Sequence, residues 1–240
     1  MKKFGIFLLS LFVAASSLTS CNESNNDFAQ NSIFAVIRTS SMGFYFESDD
    51  HKLLFPANNR VPQYQAKEGN RVIITYNIVE PEQAMPSFDY CIDLYSVSDV
   101  RWGDTATVSD AEQLKSYGQE PVLLYAPHMI SSTKEIINMA VTYYGMEAAK
   151  HTFTLVKNED PEYNPEQTKD NYLNLELRHK ATETVVSNGY AEWISIELNE
   201  FELDGYTGLI IGMPNLQNGK EYYEVTFTTF NEGGLKPASF

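Results

Sequence analysis

The chain has 240 residues, 43% of them hydrophobic, and 17 Lys and Arg stand against 32 Asp and Glu for a formal net charge of -15. An acidic chain without a basic cluster excludes a nucleic-acid binder, which gathers phosphates on a positive patch, and draws no help from anionic membrane surfaces. Two cysteines exclude a disulfide framework, and about 200 residues can bury enough apolar surface to do without one.

Met1-Lys2-Lys3 is a basic start, Phe4 to Val13 an apolar run, and Ala14 to Ser20 a small, polar stretch before Cys21. This order predicts a secretory signal over 1–20. The apolar run is too short for a spanning helix, which needs about 20 residues. Leu18-Thr19-Ser20-Cys21 has the look of a lipobox, so Cys21 is expected to be acylated and to become the new N-terminus. Losing Lys2 and Lys3 with the signal takes the formal charge from -15 to -17. Each buried methylene adds about 0.8 kcal/mol, and several chains anchor firmly where one does not. The expected location is the cell envelope, with the lipid in the outer membrane; the sequence leaves the membrane face open.

Residues 21–30 are polar and without periodicity, a flexible tether. Residues 31–108 carry five strand patterns: 33–39, 43–47, 52–55, 71–78 and 90–102. Ser48-Asp49-Asp50-His51 forms a hairpin tip between the second and third, and Pro56 is expected to end the third because it has no N–H to donate. The fourth is apolar on both faces, as in a central strand, and the fifth is long enough to be bent or bulged. Five such strands suit an OB-like barrel. Residues 109–120 read as a linker, with a short helix over 109–117 capped by Ser109 and Glu112 and ended by Gly118.

Residues 121–240 carry about seven strand patterns. Residues 135–144 fit either a helix stripe or an alternating strand; the strand is preferred because Gly145 and a second strand from His151 follow at hairpin distance. In 172–179, Leu173, Leu175 and Leu177 are expected inward and Asn174, Glu176 and Arg178 outward. Alternation recurs at Ile194, Ile196 and Leu198 and at Tyr223, Val225 and Phe227, with a buried run at 208–212. The expected fold is all-β: an OB-like barrel followed by an antiparallel β-sandwich.

Several stretches taken in order carry a resemblance. They are the lipobox at Cys21, Leu54-Phe55-Pro56, Gly69-Asn70-Arg71-Val72-Ile73-Ile74-Thr75-Tyr76, Lys150-His151-Thr152-Phe153-Thr154-Leu155-Val156, and Leu173-Asn174-Leu175-Glu176-Leu177-Arg178-His179. Together they resemble the NigD-like lipoproteins of Gram-negative anaerobes over essentially the whole mature chain. The resemblance implies an N-terminal OB-like domain, a C-terminal β-sandwich, and an immunity or accessory role linked to a bacteriocin gene cluster. It brings no catalytic motif. No dense acidic run of the kind that marks surface export follows Cys21.

The chain lacks H-E-x-x-H, G-x-S-x-G, a Walker loop, C-x-x-C and a dinucleotide fingerprint. Cys91 is read as a packed side chain rather than a thiolate paired with His51, His128, His151 or His179. His151 and His179 could approach each other across the sandwich. A metal would need a third donor that the sequence does not name, so they are read as strand-edge histidines bonded to backbone or water. The loop 158–171 is rich in oxygen donors but lacks EF-hand spacing, and is read as solvated rather than calcium-binding. No carboxylate pair stands out for glycoside hydrolysis. Phe44 and Phe46 share one strand face and are expected in the core, whereas Tyr45, Tyr95 and Trp102 are weak candidates for a binding surface. No catalytic residue, metal ligand or cofactor is expected; the one modified residue is Cys21. Two functional classes remain: a non-enzymatic envelope protein with a protein partner, and a glycan-binding accessory lipoprotein of an uptake system.

Overall fold

Alternating side chains in the first half close a barrel. In the computed structural model, which describes residues 31–79, 85–182, 188–217 and 219–229, five strands precede Val100. These are β1 (Asn31–Ser40), β2 (Gly43–Ser48), β3 (Leu53–Asn59), β4 (Arg71–Ile78) and β5 (Tyr90–Asp99). They pair in the order β1-β2-β3-β5-β4 and back to β1. Closure pairs every strand on both sides over at least part of its length. Ile37, Phe46, Leu54, Ile74, Ile92 and Leu94 fill the inside without solvent exposure. The expected signal at 1–20, Cys21 and the tether at 21–30 lie outside the described residues.

Pro56 does not end its strand: β3 continues to Asn59. The physical reason is one-sided pairing. The β2 ladder stops at Leu53 and Leu54, so beyond them β3 pairs only with β5, in parallel and with a bulge between Pro56 and Asn58. A ring without an N–H is tolerated on such an edge.

The expected single strand over 90–102 is also two elements. β5 ends at Asp99. Arg101 and Trp102 then form β6 (Arg101–Trp102), and β7 (Asp104–Val108), which lies in none of the five expected strands, follows. Helix α1 (Ala111–Ser116) follows, capped one residue later than expected by Asp110, whose carboxylate accepts from Gln113 N–H, while Gln113 accepts from Ser109 N–H. Gly118 ends it at φ +94°, a region costly to any residue with a Cβ.

The remaining strands are β8 (Leu123–Leu124), β9 (Ile130–Ser132), β10 (Ile136–Gly145), β11 (His151–Asn158), β12 (Tyr172–Ala181), β13 (Asn188–Glu197), β14 (Gly208–Pro214) and β15 (Lys220–Thr226). One sheet runs β6-β13-β10-β8 with β9 also on β10; the other runs β15-β14-β12-β11-β7. The sheets are mixed rather than purely antiparallel, because β12 with β14, β11 with β7, and β13 with β6 run parallel. Both short strands after Val100 therefore belong to the sandwich, and the pairing changes hands before the 109–120 segment.

Between the sheets, Ile137, Met139, Val141, Phe153, Leu155, Leu175, Leu177, Ile194 and Ile196 form one core. Residues 136–145 are a strand with the odd positions inward, because only that period places Ile137, Met139, Val141 and Tyr143 on the facing sheet together. The face turned away from this core on the second sheet is not bare. Leu114 and Tyr117 of the α1 segment pack on Ala106, Val108 and Val156.

Candidate functional site

Three polar clusters could carry chemistry, and each is built from strands that bring distant residues together. The first joins barrel and sandwich. Arg71 opens β4 and points away from the barrel core onto the outer face of β10 and β13. Its side chain is 1% exposed. Its Nη2 donates to Asp49 at 2.8 Å and to Asn138 Oδ1 at 2.9 Å, and its Nε donates to Ser195 Oγ at 3.1 Å. Asn138 Nδ2 donates to Asp49 at 2.8 Å, and the Ser195 hydroxyl donates to Asn138 Oδ1 at 2.6 Å. The guanidinium lies 5.4 Å from the Phe34 ring and 5.6 Å from the Trp102 ring. Burial lowers the Arg71 pKa and Asp49 opposes that pull. Around this pin, Phe34 meets Trp193 edge-on at 5.0 Å, and Trp102 Nε1 donates to Gly69 O. At the rim His51, in the left-handed region at φ 59°, reaches Glu135 at 3.0 Å and Glu47 at 3.6 Å. Burial lowers the His51 pKa, but hydrogen bonds and charge from Glu135 and Glu47 outweigh it, and the net shift is upward.

The second cluster sits inside one end of the sandwich. His151 and His179 do not face each other across the two sheets as expected. They lie on neighbouring strands of one sheet, and both are 1% exposed. His151 Nδ1 is 2.7 Å from His179 Nε2, and His179 Nδ1 is 3.1 Å from Pro121 O. A carbonyl only accepts, so His179 Nδ1 carries the proton, its Nε2 accepts, and His151 Nδ1–H donates. At 2.7 Å the two nitrogens sit closer than the ~3.3 Å that tetrahedral metal bonds of about 2.0 Å would set. Burial drives the His179 pKa down to about 4, and His151 adds to that while the Pro121 carbonyl opposes it. Tyr143 packs against both imidazoles and donates to Glu192 at 2.6 Å. Arg101 ties the same carboxylate to the carbonyls of Ala148 and His151. Burial raises the Tyr143 pKa, with Glu192 adding to it.

The third cluster lies on the outer face of β12. Asn174, Glu176 and Arg178 do point away from the core, but Glu176 and Arg178 are buried rather than solvated. Glu176 accepts from Arg178 at 3.1 Å and from Lys220 at 2.6 Å. Lys220 lies 5.7 Å from the Tyr163 ring, so a residue of the acidic loop roofs this cluster. That loop does not converge on a cation. Glu159 pairs with Lys157, and Asp160 accepts from Glu162 N–H. Among the described residues no group of three or more His, Cys, Asp or Glu is placed to hold a metal.

The other singled-out residues are dispersed. Cys91 is buried on β5 at 4% exposure. Phe44 and Phe46 pack together against the barrel core at 5.6 Å. Tyr45 packs on Phe88, Tyr95 lies under Arg60, and Trp102 is held in the domain junction. Sequence reasoning missed Arg71, Asn138 and Ser195. The available signal was a lone Arg opening a strand otherwise apolar on both faces.

Residues 33–100 match the NigD-like N-terminal OB domain family, and residues 105–227 match the NigD-like C-terminal beta sandwich domain family. No curated protein is a significant match. Among solved structures, a Bacteroides vulgatus protein of unknown function shares the fold at TM-score 0.66 and 19% identity, over 87% of this chain and 96% of that one. A putative lipoprotein from Bacteroides fragilis aligns at TM-score 0.57 and 14% identity, over 84% and 100%. A NigD-like immunity protein from Bacteroides caccae aligns at TM-score 0.53 and 12% identity, over 83% and 93%. With both of its domains matched in order over most of its length, the chain belongs to the NigD-like family.

Proposed function

We propose that the protein is a lipid-anchored, non-enzymatic interaction protein of the cell envelope, whose partner is another protein. Its most specific form is an immunity or accessory role. The observation that carries the reading is the state of the polar side chains best suited to chemistry. His151 and His179 bond to each other and His179 also to Pro121 O, and Arg71 bonds Asp49, Asn138 and Ser195, both in the interior. Such buried, satisfied networks rigidify a scaffold, and a rigid scaffold suits recognition. The names of the Bacteroides caccae and Bacteroides fragilis relatives, an immunity protein and a putative lipoprotein, point the same way. Lipid on Cys21 supplies the anchor. The glycan-binding alternative draws on Tyr45, Tyr95 and Trp102. Each of these rings is already engaged by Phe88, Arg60 or Gly69, which favours the protein partner.

The test is crosslinking of the full-length lipidated protein in cells, followed by mass spectrometry. One dominant envelope protein is the expected result. No crosslinked protein, together with binding of soluble residues 22–240 on a glycan array, overturns the proposal in favour of the glycan-binding accessory.

A further inference from the structure

The two sandwich sheets treat their outer faces differently. The outer face of the β15-β14-β12-β11-β7 sheet is covered by the chain itself, with Leu114 and Tyr117 over one side and Tyr163 above Lys220 on the other. Among the described residues, the outer face of the β10 and β13 sheet is covered at one end, where the barrel sits on Asn138, Trp193 and Ser195. Beyond the barrel this face carries Leu123, Tyr125, Thr142, Tyr144, Gly189 and Ala191. Register places Thr142 beside Leu123 and Ala191, and Tyr144 beside Gly189. None of the six is charged, in a chain of which one residue in five is.

Tyr125 is 43% exposed, Tyr144 54%, and Met146, just past the end of β10, 47%. Among the described residues they are three of six exposed large hydrophobic residues, and the others are Met42, Ile78 and Leu216, at separate loops and strand ends. Tyr125 N–H donates to Ala140 O on the β8 side of β10, and Gly189 lies beside Tyr144 on the β13 side, where a Cβ would meet the Tyr144 ring at 3.8 Å. Two amphipathic rings on one uncharged face form the kind of surface that anchors a protein partner, since Tyr is favoured at binding hot spots.

We infer that this half-face of the β10 and β13 sheet is the docking surface for the protein partner, continuous with the barrel–sandwich junction, and that it buries Tyr125 and Tyr144 together. The inference rests on the protein-partner reading above. Charge selects the occupant. In the lipid-anchored form, without Lys2 and Lys3, a second copy would set a net -17 against a net -17, and acidic glycans or lipid headgroups would be repelled likewise. The surface fits a protein with an apolar strip rimmed by Lys and Arg.

A photo-crosslinking amino acid is placed in the full-length lipidated protein, one position at a time, at Tyr125, Tyr144 and Leu216, in living cells. Leu216 is as exposed as Tyr144 but lies in the turn after β14. The expected result is one common adduct from positions 125 and 144 and none from 216. Tyr144→Glu and Ala191→Glu should then each reduce recovery of that protein at least tenfold while Tm is unchanged. Adducts at 216 alone, or a partner caught by a general amine crosslinker while 125 and 144 stay silent, overturn the surface and leave the protein-partner reading standing. No adduct by either route overturns both.

Discussion

Arg71 shows how much one side chain can decide. It is buried, and three side chains from both domains, Asp49, Asn138 and Ser195, converge on it. Removing one partner of a buried ion pair leaves the other uncompensated, so Arg71→Ala is expected to cost about 3–5 kcal/mol, read as a lowered Tm in calorimetry. A lysine in its place has one charged nitrogen and cannot span Asp49, Asn138 and Ser195 as a guanidinium fork does. His179 makes a second prediction at this scale. Its folded pKa of about 4 lies below the 6.5 of an ordinary imidazole, so the unfolded chain binds more protons between those values. Its contribution to stability is whole above pH 6.5, falls as the pH drops towards 4, and is constant below. The difference is about 3 kcal/mol. Urea midpoints at about pH 7 and about pH 5 should diverge in the wild type. In His179→Phe that divergence should shrink, and an unchanged divergence would assign the acid sensitivity to other groups.

Among the elements, the segment from β7 to β8 works as a clasp. Its 109–120 stretch reads as a linker in the sequence, yet β7 adds a parallel strand to β11, α1 lies on the outer face of the same sheet, and Glu120 N–H donates to His179 O. Gly118 is the tight point. Its φ is +94°, and a Cβ would overlap the His179 carbonyl oxygen and approach Lys180. Gly118→Ala is therefore expected to cost at least about 2 kcal/mol, whereas Gly205→Ala, also at positive φ but with open space around it, should cost less. Comparing the two variants by thermal unfolding separates backbone strain from steric overlap. The strand patterns of this half were legible because their alternation is strict, as at Leu173, Leu175 and Leu177. β6 and β9 were not, because two or three residues hold no period.

For the whole molecule, the buried network makes barrel and sandwich one body. Calorimetry should show one unfolding transition for the wild type and two for the double variant Arg71→Ala with Asn138→Ala, because the most deeply buried polar contact between barrel and sandwich among the described residues runs through these two side chains. A single transition in the variant would shift the coupling to the packing of Phe34, Trp102 and Trp193. The anchor is tested at the same scale. Cys21→Ser is expected to abolish incorporation of labelled palmitate and to move the protein from the membrane fraction to the soluble exported fraction, while continued membrane attachment would sink lipidation at that residue.

The all-β class and the barrel-then-sandwich order were readable from the amino-acid sequence, because side-chain alternation at period two and turn residues are local properties; the family was readable as a resemblance in the order of its quoted stretches. The inward rows of β10 and β12 followed for the same reason. Where the sheets exchange strands after Val100, which histidine nitrogens meet, and why Glu176 and Arg178 are buried were decided by tertiary structure alone. Those facts depend on residues far apart in the chain. Arg71 lies 67 positions from Asn138 and 124 from Ser195, and no local pattern records which outward-facing polar residue will find another domain covering it.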